Sequence, residues 1–350
     1  MRRTTMLNTI NFSQISQDFL KNLTKRQKEV ISRRFGFQSG KRETLESIGK
    51  SFQMTRERVR QVERDGFLKM RPEIDTYKKV FTALLDYFKK QGELKREDIL
   101  FSQLAPFKFQ PNLYFLLTLH PQFSKFPESS DFYPLWTINP NSLQRAKKVN
   151  KFLVSKLKEK KEILPFSKIL ELYKKNQNIL GINLNSQSLL SFVEISKEIE
   201  QGMENFFGLK EWPEISPRGV KDKSFLVLKR EERPLHFNEI SSLIPKLPFQ
   251  GASEKRVVSQ TVHNELIKDP RFVLVGRGIY ALREWGYEPG VVKDIIERIL
   301  RKKKTPLSEG EIVKEVLKQR FVKESTVLLN LKNQEYFIKN SQGKYIVGEI

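Results

Sequence analysis

Residues 44–63 read Thr44-Leu45-Glu46-Ser47-Ile48-Gly49-Lys50-Ser51-Phe52-Gln53-Met54-Thr55-Arg56-Glu57-Arg58-Val59-Arg60-Gln61-Val62-Glu63. The pattern predicts two short helices joined by a turn. Thr44 can cap the first, whose buried face is Leu45 and Ile48. Gly49 is small, as a close crossing of two helices requires, and Phe52 and Met54 flank the turn. Thr55 can cap the second helix by accepting from a backbone amide. Val59 and Val62, three apart, form its buried face.

The opposite face of that second helix carries Arg56, Glu57, Arg60, Gln61 and Arg64, which share one surface at i, i+4 spacing. Such a helix can enter the major groove and present its first turns to base edges. Arg donates in a fork to guanine, Gln pairs with adenine, and Glu accepts from cytosine. Thr55, Arg58 and Lys50 are better placed for phosphates, where contacts set register rather than sequence. The spacing alone fits a solvated amphipathic helix with Arg–Glu pairs equally well.

The residues themselves go further. Leu23-Thr24-Lys25-Arg26-Gln27 and Val30-Ile31-Ser32-Arg33-Arg34-Phe35-Gly36, followed by Thr44–Gly49 and the run Thr55–Glu63, resemble region 4 of the sigma-70 family. The resemblance covers about 50 residues of the chain, 23–72, and its second run is highly specific. It implies binding of double-stranded promoter DNA at a minus-35 element, with Arg56, Glu57 and Gln61 reading bases. Arg26, Arg34, Leu45, Glu46 and Lys50 match positions near the DNA backbone. It also implies docking on the flap of the RNA polymerase β subunit. The expected base-reading set is therefore Arg56, Glu57, Arg60 and Gln61. The expected backbone set is Arg26, Arg34, Leu45, Glu46, Lys50, Thr55, Arg58 and Arg64.

Three residues depart from the family pattern. Gln53 occupies the turn, where Gly is easier; Asp65 stands where Lys is common; and Gly66 is expected to loosen the helix tail by roughly 1 kcal/mol relative to Ala. Nothing resembles region 2, the promoter-melting domain, and only 22 residues precede Leu23. A complete, self-sufficient sigma factor is therefore not expected.

The bulk composition agrees with a polyanion partner. Lys and Arg number 64 against 41 acids, a net charge of +23, which raises the local concentration of nucleic acid or an anionic surface. With no cysteine, disulfides, thiolate zinc sites and cysteine nucleophiles are excluded. No apolar run approaches a membrane span, and residues 1–22 read as a polar leader with a short amphipathic piece at Ile15, Phe19 and Leu20. A cytoplasmic, nucleoid-associated protein without membrane contact is the expectation. The length of 350 residues calls for two or more domains.

Beyond Pro72 a repeat emerges. Leu followed five residues later by Ile occurs at Leu94/Ile99, Leu164/Ile169, Leu235/Ile240 and Leu307/Ile312, spaced by 70, 71 and 72 residues. A second marker follows each copy: Phe207-Gly208-Leu209-Lys210-Glu211-Trp212 matches Tyr280-Ala281-Leu282-Arg283-Glu284-Trp285. Weaker versions are Phe132–Trp136 and Tyr345–Ile350. Four units are read, 73–138, 141–214, 217–287 and 290–350. Each is expected as three helices followed by a β-hairpin, the winged-helix plan, so the fold class is mainly α with small hairpins. The opening helices are Lys78–Lys89, Leu143–Lys160, Val220–Glu231 and Val291–Lys303. In the third unit, the turn Gly276-Arg277-Gly278 offers positive φ between two strands. The aromatic after the last strand is expected to cap each small core against the next unit. Arg233–Ile240, Asp269–Val273 and Ala281–Trp285 resemble a HARE-type winged helix, also found in the RNA polymerase delta subunit, which implies an accessory role at polymerase or DNA.

Other chemistry finds little support. His120, His236 and His263 lack metal-ligand spacing. Val275–Gly278 has a GxG without the third glycine and helix of a nucleotide site. Glu93-Leu94-Lys95 fits a nuclease Glu-x-Lys, but a chain with 30% charged residues produces that match by chance. No catalysis, cofactor, metal or small-molecule substrate is expected. The expected role is a sequence-specific, sigma-factor-like transcription initiation protein associated with RNA polymerase; its rivals are a promoter-specific regulator acting without polymerase, a polymerase-bound adaptor whose repeats bind protein, and a sigma factor with an unrecognised melting domain. Lys-rich runs such as Lys158–Lys161 and Arg301–Lys304 read singly as solvated faces.

Overall fold

The computed structural model describes residues 10–202, 205–247 and 257–348. The chain divides into two compact units, Met1–Lys210 and Glu211–Ile350.

The first unit opens with α1 (Phe12–Leu20), capped by the Asn11 side chain. Phe12, Ile15 and Phe19 fall on one helical stripe and are buried. The Phe19 ring lies 5.2 Å from Tyr77 and 6.4 Å from Phe115. Residues 12–20 are thus a core helix rather than a leader; residues 1–9 lie outside the described residues. Next come α2 (Lys25–Phe35), α3 (Leu45–Phe52) and α4 (Arg56–Met70). Thr24 and Gln27 close a capping box at the start of α2. A 3₁₀ segment, Arg71–Tyr77, leads into α5 (Lys78–Lys90). The core runs across the expected border at residue 72 without a linker: Ile31, Phe35, Met70, Phe81 and Phe115 belong to one cluster.

After α5 the first repeat continues with β1 (Leu94–Arg96), α6 (Glu97–Leu104), α7 (Gln110–Leu119), β2 (Ser124–Phe126) and β3 (Leu135–Thr137). The second has α8 (Asn141–Lys160), β4 (Leu164–Pro165), α9 (Phe166–Leu180), α10 (Ser186–Glu194), β5 (Ile199–Gln201) and β6 (Phe206–Leu209). In the second unit of the chain, the third repeat has α11 (Gly219–Glu231), β7 (Leu235–His236), α12 (Phe237–Leu243), α13 (Ser259–Lys268), β8 (Phe272–Gly276) and β9 (Ile279–Leu282). The fourth has α14 (Val292–Lys303), α15 (Glu309–Gln319), α16 (Glu324–Leu331), β10 (Phe337–Lys339) and β11 (Tyr345–Val347). The chain is mainly helical with small antiparallel sheets.

Each of the first three repeats contains one strand more than the sequence pattern suggested. The repeated leucine begins or forms a short strand that pairs with the last strand: Leu94↔Thr137, Leu164↔Phe207 and Leu235↔Tyr280. In the fourth repeat Leu307 makes a single bridge to Tyr345. The three-stranded sheets are ordered first–last–middle. The leucine plugs each small core from the sheet side and the fourth residue of the following helix plugs it from the other. That residue is Ile169, Ile240 or Ile312, but Leu100 in the first repeat, because β1 is one residue longer and α6 starts one position later. For the same reason of register, the counterpart of Phe207 is Thr137 rather than Phe132. Trp136 does not follow the strand but lies within it, buried in the first core, and its indole N–H donates to Glu97 at 2.8 Å.

The turn of the third hairpin also differs from the expectation. Gly278 has φ +68°, but Gly276 does not adopt a positive φ. Gly276 is required by proximity instead: a Cβ there would meet the Phe321 carbonyl oxygen at 2.8 Å. The Phe321 amide donates to Val275 O at 2.7 Å, which joins the third and fourth repeats backbone to backbone.

Candidate nucleic-acid interface

The helix–turn–helix is built from its caps inward. Thr44 Oγ1 accepts from the Ser47 amide at 3.1 Å, and Thr55 Oγ1 from the Arg58 amide at 3.2 Å. Both α3 and α4 thereby start where the two threonines place them. Between them Gln53 takes a left-handed conformation, φ +53°, and its amide donates back to Lys50 O. The Met54 amide reaches Gly49 O at 2.9 Å. A Cβ at Gly49 would stand 2.6 Å from Met54 O, so the turn folds tightly over α3 only with glycine there. Ile48 and Val59 are fully buried with Val30 beneath, and Leu45, Phe52 and Met54 close the rim. Gly66 serves packing too. It lets α4 pass within contact of Ile31 and Leu23, and the helix continues unbroken to Met70 rather than loosening.

With Val59 and Val62 inward, Arg56, Glu57, Arg60 and Arg64 are exposed along α4, and Gln61 is half-buried. The four expected base-reading residues therefore lie on one face. They are not idle in the free protein. Arg60 grips Glu57 through two hydrogen bonds of 2.9 and 2.7 Å. The guanidinium holds the Glu57 carboxyl below its usual range and is itself pushed up by it. Arg58 donates to Gln61 Oε1 at 3.0 Å. These pairs lie within one solvent-exposed face and are weak, so they keep the side chains ordered without locking them from a partner.

The expected backbone set separates into two groups. Arg26, Glu46, Lys50, Thr55, Arg58 and Arg64 are exposed. Lys50 and Glu46 pair at 3.1 Å, and Arg64 stands 3.9 Å from Asp65. Leu45 is half-buried against the small core. Arg34 is a strut: it donates to Glu43 O at 2.9 Å and lies 3.4 Å from Glu63, whose carboxyl burial pushes up against the pull of Arg34. Arg33, not singled out from sequence, is a second strut. It forks onto Glu43 at 2.9 and 2.6 Å and donates to Ser51 at 2.6 Å, tying α2 to both ends of α3. The adjacent Arg33-Arg34 pair was the visible signal, but its partners Glu43, Ser51 and Glu63 are brought to it only by the fold.

The third helices of the repeats contrast with α4. Helix α7 holds no cation, and most of it is buried against the first core. Helix α10 holds none either and packs on β1, where Glu194 pairs with Lys95 at 2.6 Å. Helix α13 ends on a single Lys268, and α16 exposes Leu329 with no cation inside the helix. The remaining sequence candidates resolve into packing: His120 stacks on Phe81 at 4.6 Å, and His263 meets the Tyr280 hydroxyl at 3.1 Å. Among the described residues no group of side chains could hold a metal, and no helix is long and apolar enough to cross a membrane.

Comparison with known proteins agrees with this geometry. Residues 19–72 match the family model "Sigma-70, region 4". Over 55 residues the chain is 46% identical to the RNA polymerase sigma factor SigA of Bacillus sp., an alignment covering 16% of this chain and 15% of that protein. The helix–turn–helix of α3 and α4 is a sigma-70 region 4 helix–turn–helix, a DNA-binding fold. The matched relative is shared over that segment alone.

Proposed function

We propose that the chain is a sequence-specific, sigma-factor-like transcription initiation protein that reads a minus-35-like promoter element through α4. In this reading Arg56, Glu57, Arg60 and Gln61 contact base edges. Arg26, Glu46, Lys50, Thr55, Arg58 and Arg64 track the phosphates, and Arg34 holds the frame. RNA polymerase core is the protein partner, with the β flap as the docking point of the head, the sigma-like segment of α2–α4. One observation carries the proposal: a capped, firmly seated α4 whose polar face is turned to solvent and paired only within itself, in the segment that matches sigma-70 region 4.

For the repeats, three helices followed by a hairpin in all four, with first–last–middle sheets in the first three and a Leu307–Tyr345 bridge in the fourth, support four winged-helix modules, the third of HARE type. Their role is that of a polymerase-bound adaptor rather than a second DNA reader. The feature that favours this is the shortage of cations on their third helices, two of which are spent on packing. Pull-down of the tagged full chain from a nuclease-treated lysate tests the assignment. Retention of core polymerase without DNA supports the initiation factor; loss of polymerase with retained duplex binding means a stand-alone regulator.

A further inference from the structure

Away from the reading face of α4, the head and the first repeat enclose a groove of about 690 Å3 that duplex reading does not use. Its walls are rings and cations in contact. The Arg42 guanidinium lies 4.2 Å from the Tyr114 ring centre, and Arg96 lies 3.9 Å from that of Tyr133. At the rim, Phe107 is 86% exposed, an apolar ring with no packing role to explain it.

The charge balance of the groove is uneven. Both rim acids are already engaged. Asp98 accepts from Arg96 at 2.7 and 2.8 Å. Glu97 accepts from Lys125 at 2.9 Å and from Trp136 at 2.8 Å. Arg42 and Lys108, by contrast, have no carboxylate partner among the described residues. The site thus offers an open aromatic face, planar guanidinium groups and uncompensated positive charge, within the volume range of ordinary ligand pockets.

We propose that this groove binds unpaired nucleobases of a single-stranded nucleic acid. Bases stack on Phe107 and on the exposed guanidinium of Arg42, and Arg42 and Lys108 meet the phosphates. Aromatic faces beside a basic track are the general solution for single strands, because every base has a π face and every nucleotide a negative charge. An apolar peptide would use the rings but leave the two cations without a purpose.

The experiment uses the full chain carrying Arg56→Ala, so that duplex reading by α4 and stacking in the groove are tested apart. A short oligo(dT) containing one 2-aminopurine is titrated in, since base stacking on a ring quenches that fluorophore. The expected result is quenching on binding. Phe107→Ala and Arg42→Ala should each weaken the oligonucleotide by on the order of tenfold with an unchanged thermal melt; an oligo(U) run in parallel tells DNA from RNA. A fully paired duplex should bind without quenching. Absence of quenching overturns the proposal, and so does affinity unchanged in both variants, which is the outcome of a protein-docking groove. Failure here leaves the promoter-reading proposal standing, because Arg56 lies outside the groove.

Discussion

Lys95 is fully buried, and its ammonium lies 2.6 Å from the carboxylate of Glu194, across 99 residues of sequence. Gln91 Oε1 at 3.2 Å and Ser191 Oγ at 3.4 Å complete its hydrogen bonds. The pair pins α10 of the second repeat to β1 of the first. A helix that could have faced a partner is thereby used inside the chain. Removing one member strands the other charge in the interior, which typically costs about 3–5 kcal/mol. Lys95→Ala is therefore expected to lower the denaturation midpoint sharply. The double variant Lys95→Met, Glu194→Leu should recover most of the loss, since an apolar pair of similar volume replaces a buried ion pair at little cost. Equal destabilisation of single and double variants in urea melts would show that the ion pair is not what joins the repeats.

Among the non-glycine residues in the left-handed conformation are Gln53 and three at a structurally repeated turn. Gln53 sits between the helices of the head, and Lys161, Glu232 and Lys304 each stand three residues before a repeated leucine. A left-handed non-glycine residue costs roughly 1–2 kcal/mol, part of which glycine returns as unfolded-state entropy. Gln53→Gly and Lys304→Gly are each expected to raise stability by about 0.5–1 kcal/mol. Gly49→Ala should do the reverse, because its Cβ would collide with a backbone oxygen. Thermal melts of the three variants check both signs at once.

Much of this architecture was legible because its signals are local. Thr44 and Thr55 cap as their neighbours suggest, and Val59 and Val62 point inward as their spacing requires. The repeated leucines mark true equivalents, and the four opening helices fall within two residues of their expected bounds. The strands at those leucines were missed because two or three residues are too few for an alternating pattern to register. The shift from Ile99 to Leu100 and from Phe132 to Thr137 follows from one extra strand residue and a longer hairpin loop, which no periodicity reports. Gly66 reads as a defect until Ile31 is seen against it, and the contacts of Arg34 with Glu43 and Glu63 appear only in the fold. Lys95 in a charged stretch reads as surface; only the fold brings Glu194 to it.

Asp18 should make one contribution to the acid sensitivity of the fold. Hydrogen bonds from Lys21, Tyr77 and Gln14 lower the Asp18 carboxyl to about 2, and the Tyr77 hydroxyl is raised to about 12 by the same contact. A carboxyl whose folded pKa lies below its unfolded value of about 3.9 adds stability that is fully present above that value. The contribution is lost as pH falls toward 2. Asp18→Asn is therefore expected to be less stable than the parent at neutral pH, with the gap closing between about pH 4 and pH 2. A gap that stays constant down to pH 2 would mean that the contacts of Asp18 do not depend on its charge.

The sharpest test of the reading face separates base contacts from phosphate contacts. Arg56 and Arg58 are neighbours on α4, both exposed, and differ in assigned role. Arg56→Ala should cost roughly 1–3 kcal/mol at one base pair and flatten the preference there. Arg58→Ala should weaken all sequences alike and reduce the slope of log affinity against log salt by about one. Arg58 also orders Gln61 through a 3.0 Å hydrogen bond. If that ordering matters for recognition, Arg58→Ala will blur selectivity at the position read by Gln61 in addition to its uniform loss. Selected-sequence binding of the parent and both variants, each at two salt concentrations, resolves these effects. Unchanged selectivity in Arg56→Ala would move the reading face off α4 altogether.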